Sequence, residues 1–239
     1  MNKQSGNALI YILIAIFLLG GLTVLLSRSG SQTDDTGSTE QLSLQASQIL
    51  RYMVGVQTVV NNLQLAGCSE NEISFEHASA DGYYNASSSD KCKVFGTNAG
   101  GGLTYKKPNT VWLDSTYSAN SWYGDYYFTD QRVKGVGTTT AGAESSDMMI
   151  VLPYVTKTLC LEINKRSGLS PQTSGDPPAE NTGINAGHPF IGTFTVVGDL
   201  DSGSSVPPTL LNGQRSGCVQ SSGGGAFSGY EVYTILIAR

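Results

Sequence analysis

The sequence predicts an α+β chain: an N-terminal transmembrane helix, then an amphipathic helix packed on an antiparallel β-rich head stapled by two disulfides. Three observations lead there. The run Ala8–Leu26 holds 19 residues with neither a charge nor a proline. Apolar residues then recur in alternating steps of four and three from Leu42 to Leu63. The remainder sets short β-branched and aromatic segments among Gly, Ser, Thr and Asn, with four cysteines spread through it.

As a helix, the first run rises about 28 Å, close to the hydrocarbon thickness of a bilayer. A cleaved export signal has a shorter apolar core and ends in small residues. This run ends in Leu25-Leu26-Ser27-Arg28, where Arg28 suits such cleavage poorly, although Ser27 and Ser29 offer a small pair. The expectation is a permanent single-pass anchor, with Lys3 and the amino terminus on the cytoplasmic side and the head outside the membrane.

The 239 residues carry a net charge of −5 with 14 Lys and Arg, which gives no electrostatic case for nucleic acid. Two histidines, His77 and His188, leave little material for acid–base catalysis. Cys68, Cys92, Cys160 and Cys218 form no Cys-x-x-Cys pair, and behind an export segment they read as two disulfides. Three pairings are possible. Cys68–Cys92 with Cys160–Cys218 closes the shorter loops and is the one expected.

The leader Lys3-Gln4-Ser5-Gly6 is short and polar, and its glycine stands directly before Asn7-Ala8 and the apolar run. This resembles the leader of type IV pilins and of the pseudopilins of type II secretion. The resemblance implies cleavage between Gly6 and Asn7 by a prepilin peptidase, with the new amino terminus open to methylation, and the apolar helix kept on the mature chain. Two positions depart from the family pattern: Asn7 stands where phenylalanine is common, and Tyr11 where glutamate is usual. In a filament that glutamate neutralises a neighbour's amino terminus buried among apolar helices, where an unpaired charge costs several kcal/mol. Tyr11 offers a hydrogen bond and no charge, a departure similar to that of some minor pseudopilins, so the resemblance points to a minor subunit.

Ser29–Ser38 is polar, with Gly30 and Gly37 as breakers, and reads as a linker. Ser38 and Gln41 have capping-box spacing for a new helix. Its apolar seam is Leu42, Ala46, Ile49, Met53, Val56, Val60 and Leu63, and Gly67 is placed to end it. One side is expected on the head's own sheet. The pilin resemblance adds neighbouring subunits on the other and implies one unbroken rod, with which the linker conflicts. The organisation expected is thus a leader at 1–6, a transmembrane helix at 7–28, a polar linker at 29–38, an amphipathic helix at 39–67 and a head at 68–239.

Within the head, strands are expected at Ile73–His77, Lys93–Phe95, Thr110–Leu113, Tyr126–Val133, Met148–Leu152, Phe190–Val197 and Tyr230–Ile237. A helix fits Val155–Arg166, with Gly168 as its stop. The last strand is apolar on both faces, as a central strand would be.

No nucleophile elbow, His-Glu-x-x-His, phosphate loop or dinucleotide fingerprint occurs, and a non-enzymatic protein without a cofactor is expected. Asp199 and Asp201 alternate before Gly203 and are candidate Ca²⁺ ligands, though a plain turn is the preferred reading. Rings crowd Trp112, Tyr117, Trp122, Tyr123, Tyr126, Tyr127 and Phe128. Some pack the core; Trp112, Tyr117, Trp122, Tyr123 and Tyr126 are the candidate contact surface for a glycan or protein.

The function expected is a structural subunit of a pilus-like or pseudopilus filament, assembling through its apolar helix with copies of itself or other pilin-like subunits. It would wait in a bacterial inner membrane, head in the periplasm, and be extracellular once assembled. The competing reading is an uncleaved single-pass binding module that uses the aromatic loop. A secreted hydrolase is a third, which a close carboxylate or Ser/His pair in a deep pocket would favour.

Overall fold

A computed structural model of the chain describes residues 7–78, 82–137, 146–172, 174–180, 184–195, 198–200, 210–221 and 227–239, without the side chains of 7–9, 22, 24–37 and 180. The chain divides into two compact units, Met1–Leu44 and Gln45–Arg239.

Helix α1 runs Asn7–Leu65. The linker expected at 29–38 is therefore helical in its backbone, and Ser38 does not start a second helix. Gly30 and Gly37 each cost a helix about 1 kcal/mol relative to alanine, but neither carries the steric block of proline. Once a helix is nucleated on either side, each added residue brings its own hydrogen bond. The chain leaves α1 through Gly67, whose φ is +93°. Cys68 N–H reaches the Leu63 carbonyl and Gly67 N–H that of Gln64, a Schellman closure that satisfies the last carbonyls.

In the second unit the backbone forms one six-stranded sheet. Its strands are β1 (Tyr127–Val133), β2 (Asp147–Val155), β3 (Ala179–Glu180), β4 (Asp199–Leu200), β5 (Ser216–Ser221) and β6 (Gly229–Ile237), in the order β3-β5-β6-β2-β1-β4. The four central strands are antiparallel, while the two-residue edges β3 and β4 pair in parallel. Nearly every residue of β2 and β6 is buried, as their continuous apolar runs require. Helix α2 (Lys157–Ser167) follows β2, flanked by Thr156 and by left-handed Gly168.

On α1, Ala46, Ile49, Met53, Val56, Val60 and Leu63 are buried, and Leu42 is half-buried. Gln57 donates to the Ile235 carbonyl at 2.7 Å, and the Thr234 hydroxyl lies 3.5 Å from Met53 Sδ, so this face of the helix packs on β6. The same side of the sheet holds an aromatic core: Phe128 stacks on Phe75 at 4.3 Å, with Tyr83 and Phe95 around them.

Both disulfides form as the sequential pattern anticipates, Cys68–Cys92 with a Cα–Cα distance of 5.8 Å and Cys160–Cys218 with 5.3 Å. Across sequence separations of 24 and 58 they stabilise by about 3.5 and about 4 kcal/mol in the chain-entropy model.

Several expected strands are not strands. Ile73–His77 and Lys93–Phe95 meet in a single bridge, Ser74 to Lys93. Thr110–Trp112 is a 3-10 turn because Asn109 Oδ1 accepts from Val111 N–H, an Asx cap that curls the chain. Phe190–Val197 forms no ladder where it is described; Phe190 N–H goes to the Phe128 carbonyl and Thr195 N–H to the Asp130 carboxylate. Side chains and single backbone contacts take the place of a partner strand there.

Candidate functional site

Two regions carry the residues singled out from the sequence. The first is the N-terminal part of α1. Its large side chains from Ile10 to Leu19 are all exposed, from 50% at Ile14 to 82% at Phe17, and Tyr11 is 67% exposed. An uninterrupted exposed apolar surface of this kind marks a place that another molecule or a lipid phase covers. Among the described residues, no helix is long and apolar enough to cross a membrane. Gly6 lies outside the described residues, and Asn7 is the first residue of α1.

The second region is the aromatic layer. Tyr126 is buried at 2% exposure and lies 4.7 Å from the Tyr52 ring of α1, so it packs in the core and offers almost no exposed surface. Burial pushes its hydroxyl pKa far up and raises that of Tyr52 to about 12. Trp112, Tyr117, Trp122 and Tyr123 are half-buried. Tyr117 and Tyr123 lean on Tyr154 at 5.3 and 6.2 Å, and Trp122 leans on Tyr127 at 4.8 Å. The stretch therefore covers the sheet more than it presents rings to solvent. Two of these residues, Trp122 and Tyr154, hold φ of +66° and +63°, a conformation that costs a bulky side chain about 1–3 kcal/mol. Tyr154 tolerates it at the β-bulge that ends β2, where its hydroxyl donates to the Ser121 carbonyl and its own carbonyl accepts from Asp114 N–H.

Between α1 and this layer lies a groove of about 470 Å³. Tyr52 and Gly55 of α1 line it together with Trp112 and Tyr126. Arg51, Lys106 and Lys107 bring three cations to it. Lys107 is balanced by Asp125 at 3.1 Å, which also accepts from the Tyr105 hydroxyl at 3.0 Å. Arg51 and Lys106 are exposed and have no acidic partner among the described residues. The loop carrying Lys106 is set on the helix by its own N–H, which donates to the Tyr52 hydroxyl at 3.3 Å.

Compared with known protein families, curated proteins and solved structures, the chain gives no match in any of the three.

The remaining candidates separate. Asp199 sits in β4 and pairs with Arg132 of β1, so its carboxylate is engaged in an ion pair; Asp201 lies outside the described residues. Among the described residues no group of three His, Cys, Asp or Glu is placed to hold a metal ion. His77 is half-buried, with Nδ1 2.8 Å from the Phe75 carbonyl and its ring stacked on Tyr105 at 3.8 Å. Burial lowers its pKa. His188 is exposed, and its backbone carbonyl accepts from the Thr129 hydroxyl at 2.7 Å. Of the residues lining the groove, only Trp112 and Tyr126 stand out in the sequence; Arg51 and Lys106 carry no local signal, and Gly55 shows only as a glycine between the seam positions Met53 and Val56.

Proposed function

We propose that the chain is a structural subunit, of the minor kind, in a type IV pilus-like or pseudopilus filament, anchored by a membrane span over 7–28. One observation carries the reading: the exposed apolar surface from Ile10 to Leu19 stands on the same helix, α1, whose residues 46–63 are built into the head. A helix fixed at one end in a folded head, and apolar along its other part, can exchange lipid contacts for contacts with neighbouring helices. The mechanism is mechanical. Subunits wait in a bacterial inner membrane with their heads in the periplasm, an oxidising compartment that suits the two disulfides, and are extracted into the filament.

Cleavage after Gly6 by a prepilin peptidase would free Asn7 as the amino terminus. Tyr11 brings no charge to neutralise a neighbour's terminus, which suits a position with no subunit stacked above. The test is the intact mass and amino-terminal sequence of the membrane-extracted protein, made with and without the peptidase. A chain starting at Asn7 only when the peptidase is present supports the filament reading. A start at Met1 in both hosts overturns it in favour of an uncleaved anchored binding module. A start near Gly30 makes the opening stretch an export signal.

A further inference from the structure

We propose that the groove beside α1 binds a carboxylated saccharide, a short uronate-bearing segment of an acidic glycan. The argument does not depend on whether the chain enters a filament.

The glycine at the groove is the first reason. Gly55 stands inside α1, and a Cβ built there would meet no atom within 4 Å. The fold does not require glycine at this position, and glycine is a poor choice for a helix interior. Its effect is to leave the helix backbone bare where it lines the groove, so that a ligand can approach it closely.

The walls give the class of ligand. Trp112 and Tyr52 bring two aromatic rings to the lining, apolar bodies with polar edges of the kind against which the C–H face of a pyranose packs. Gln48, also at the groove, supplies an amide that both donates to and accepts from hydroxyls. Arg51 and Lys106, which have no acidic partner among the described residues, bring two positive charges to this place on a chain whose net charge is −5. A guanidinium fork and an ammonium suit a sugar carboxylate, and the charge-assisted bonds would select it over a neutral sugar.

Size and charge argue against the other polyanions. A cavity of about 470 Å³ falls in the range of small-ligand sites and suits about one or two sugar rings. Single-stranded nucleic acid needs a track of cations following its backbone, and here Lys107 is already neutralised by Asp125. An acidic peptide with no rings or sugar faces of its own would use only the two charges, and oligoglutamate is the comparison that tests it.

The experiment uses the full chain in detergent and isothermal calorimetry. The probes are trimers of galacturonate, mannuronate, guluronate and glucuronate, with maltotriose, an oligothymidylate and oligoglutamate as comparisons. The expected result is that at least one uronate trimer binds at least about tenfold more tightly than maltotriose, and that added salt weakens it. Gly55→Leu puts a side chain into the open space at the groove and Arg51→Gln with Lys106→Gln removes the charge; each is expected to weaken that binding about tenfold or more. Gly55→Leu is accepted as a test only if its thermal midpoint is at or above that of the parent; otherwise the charge variant decides alone. Three results would overturn the proposal: no uronate trimer exceeding maltotriose, oligothymidylate or oligoglutamate binding as tightly as the best uronate, or unchanged binding in the folded variants.

Discussion

The carboxamide of Asn164 holds both backbone groups of Cys218: its Nδ2 donates to the carbonyl and its Oδ1 accepts from the N–H, each at 2.7 Å. Asn164 is buried on α2, and one turn earlier on that helix Cys160 carries the disulfide to the same Cys218. Covalent bond and hydrogen-bond pair thus dock α2 on a single residue of β5. They also close the outer edge of that strand, because Gln220 N–H goes to the Pro178 carbonyl next to β3. An open edge there would be a template for another strand.

Replacing Asn164 by alanine leaves the buried N–H and C=O of Cys218 without partners. Each unsatisfied group costs about 1–3 kcal/mol, so the expected loss for the two is about 2–6 kcal/mol. Urea unfolding of the full chain, followed by near-UV circular dichroism, measures it. A loss below about 1 kcal/mol would mean that water replaces the clamp.

All four cysteines are in disulfides. Thiol titration of the unfolded, unreduced protein is therefore expected to find none free. Removing Cys160–Cys218 with a double alanine variant should lower stability by about 4 kcal/mol, and removing Cys68–Cys92 by about 3.5 kcal/mol. A larger loss for the second pair would contradict the loop-length account.

Two glycines should respond in opposite directions to alanine. Gly55→Ala adds a methyl group where nothing lies within 4 Å and gains helix propensity, for an expected rise of about 1 kcal/mol. At Gly101 the new Cβ would lie 2.6 Å from the Val94 carbonyl oxygen and 2.7 Å from Val59 Cγ1. Gly101→Ala should cost about 1–3 kcal/mol, since that loop must back away from α1. Thermal midpoints of the two variants check both signs.

His77 gives the stability a pH dependence whose sign follows from its environment. Burial depresses its folded pKa below the ordinary 6.5; the hydrogen bond with the Phe75 carbonyl and the Asp125 charge oppose this by less, and Lys107 adds a little to it. Folding therefore favours the neutral ring. Its contribution is intact above pH 6.5 and is lost as pH falls below that value through the folded pKa. Asp147 acts oppositely: burial raises its pKa above 3.8, so acid relieves the cost of its charge. Comparing the parent with His77→Phe isolates the histidine. Urea midpoints at neutral and mildly acidic pH should converge for the variant and fall with acidification for the parent. Equal slopes in both would sink the assignment.

The strongest local signals in the sequence survive folding. The four-and-three seam from Ala46 to Leu63 became the buried face of α1, and the apolar runs of β2 and β6 became central strands. Leu159, Ile163 and Gly168 mark α2 and its end as the spacing predicts. In each, the residue period and the burial agree, so local preference and tertiary packing point the same way. β5 was not legible: Ser216-Gly217-Cys218-Val219-Gln220-Ser221 has little strand character, and its pairing with β6 is earned from a distant segment.

The sequence by itself determined the α+β class, the helical seam, the central strands and the presence of an exposed apolar run near the amino terminus, because each rests on a short-range period of residues. Only the tertiary structure decided that Tyr126 lies in the core, that Asp199 is held by Arg132, and that Arg51, Gly55, Lys106 and Trp112 meet around one groove. Those outcomes depend on which distant segments a folded backbone brings within a few ångströms, and no local pattern of residues encodes that distance.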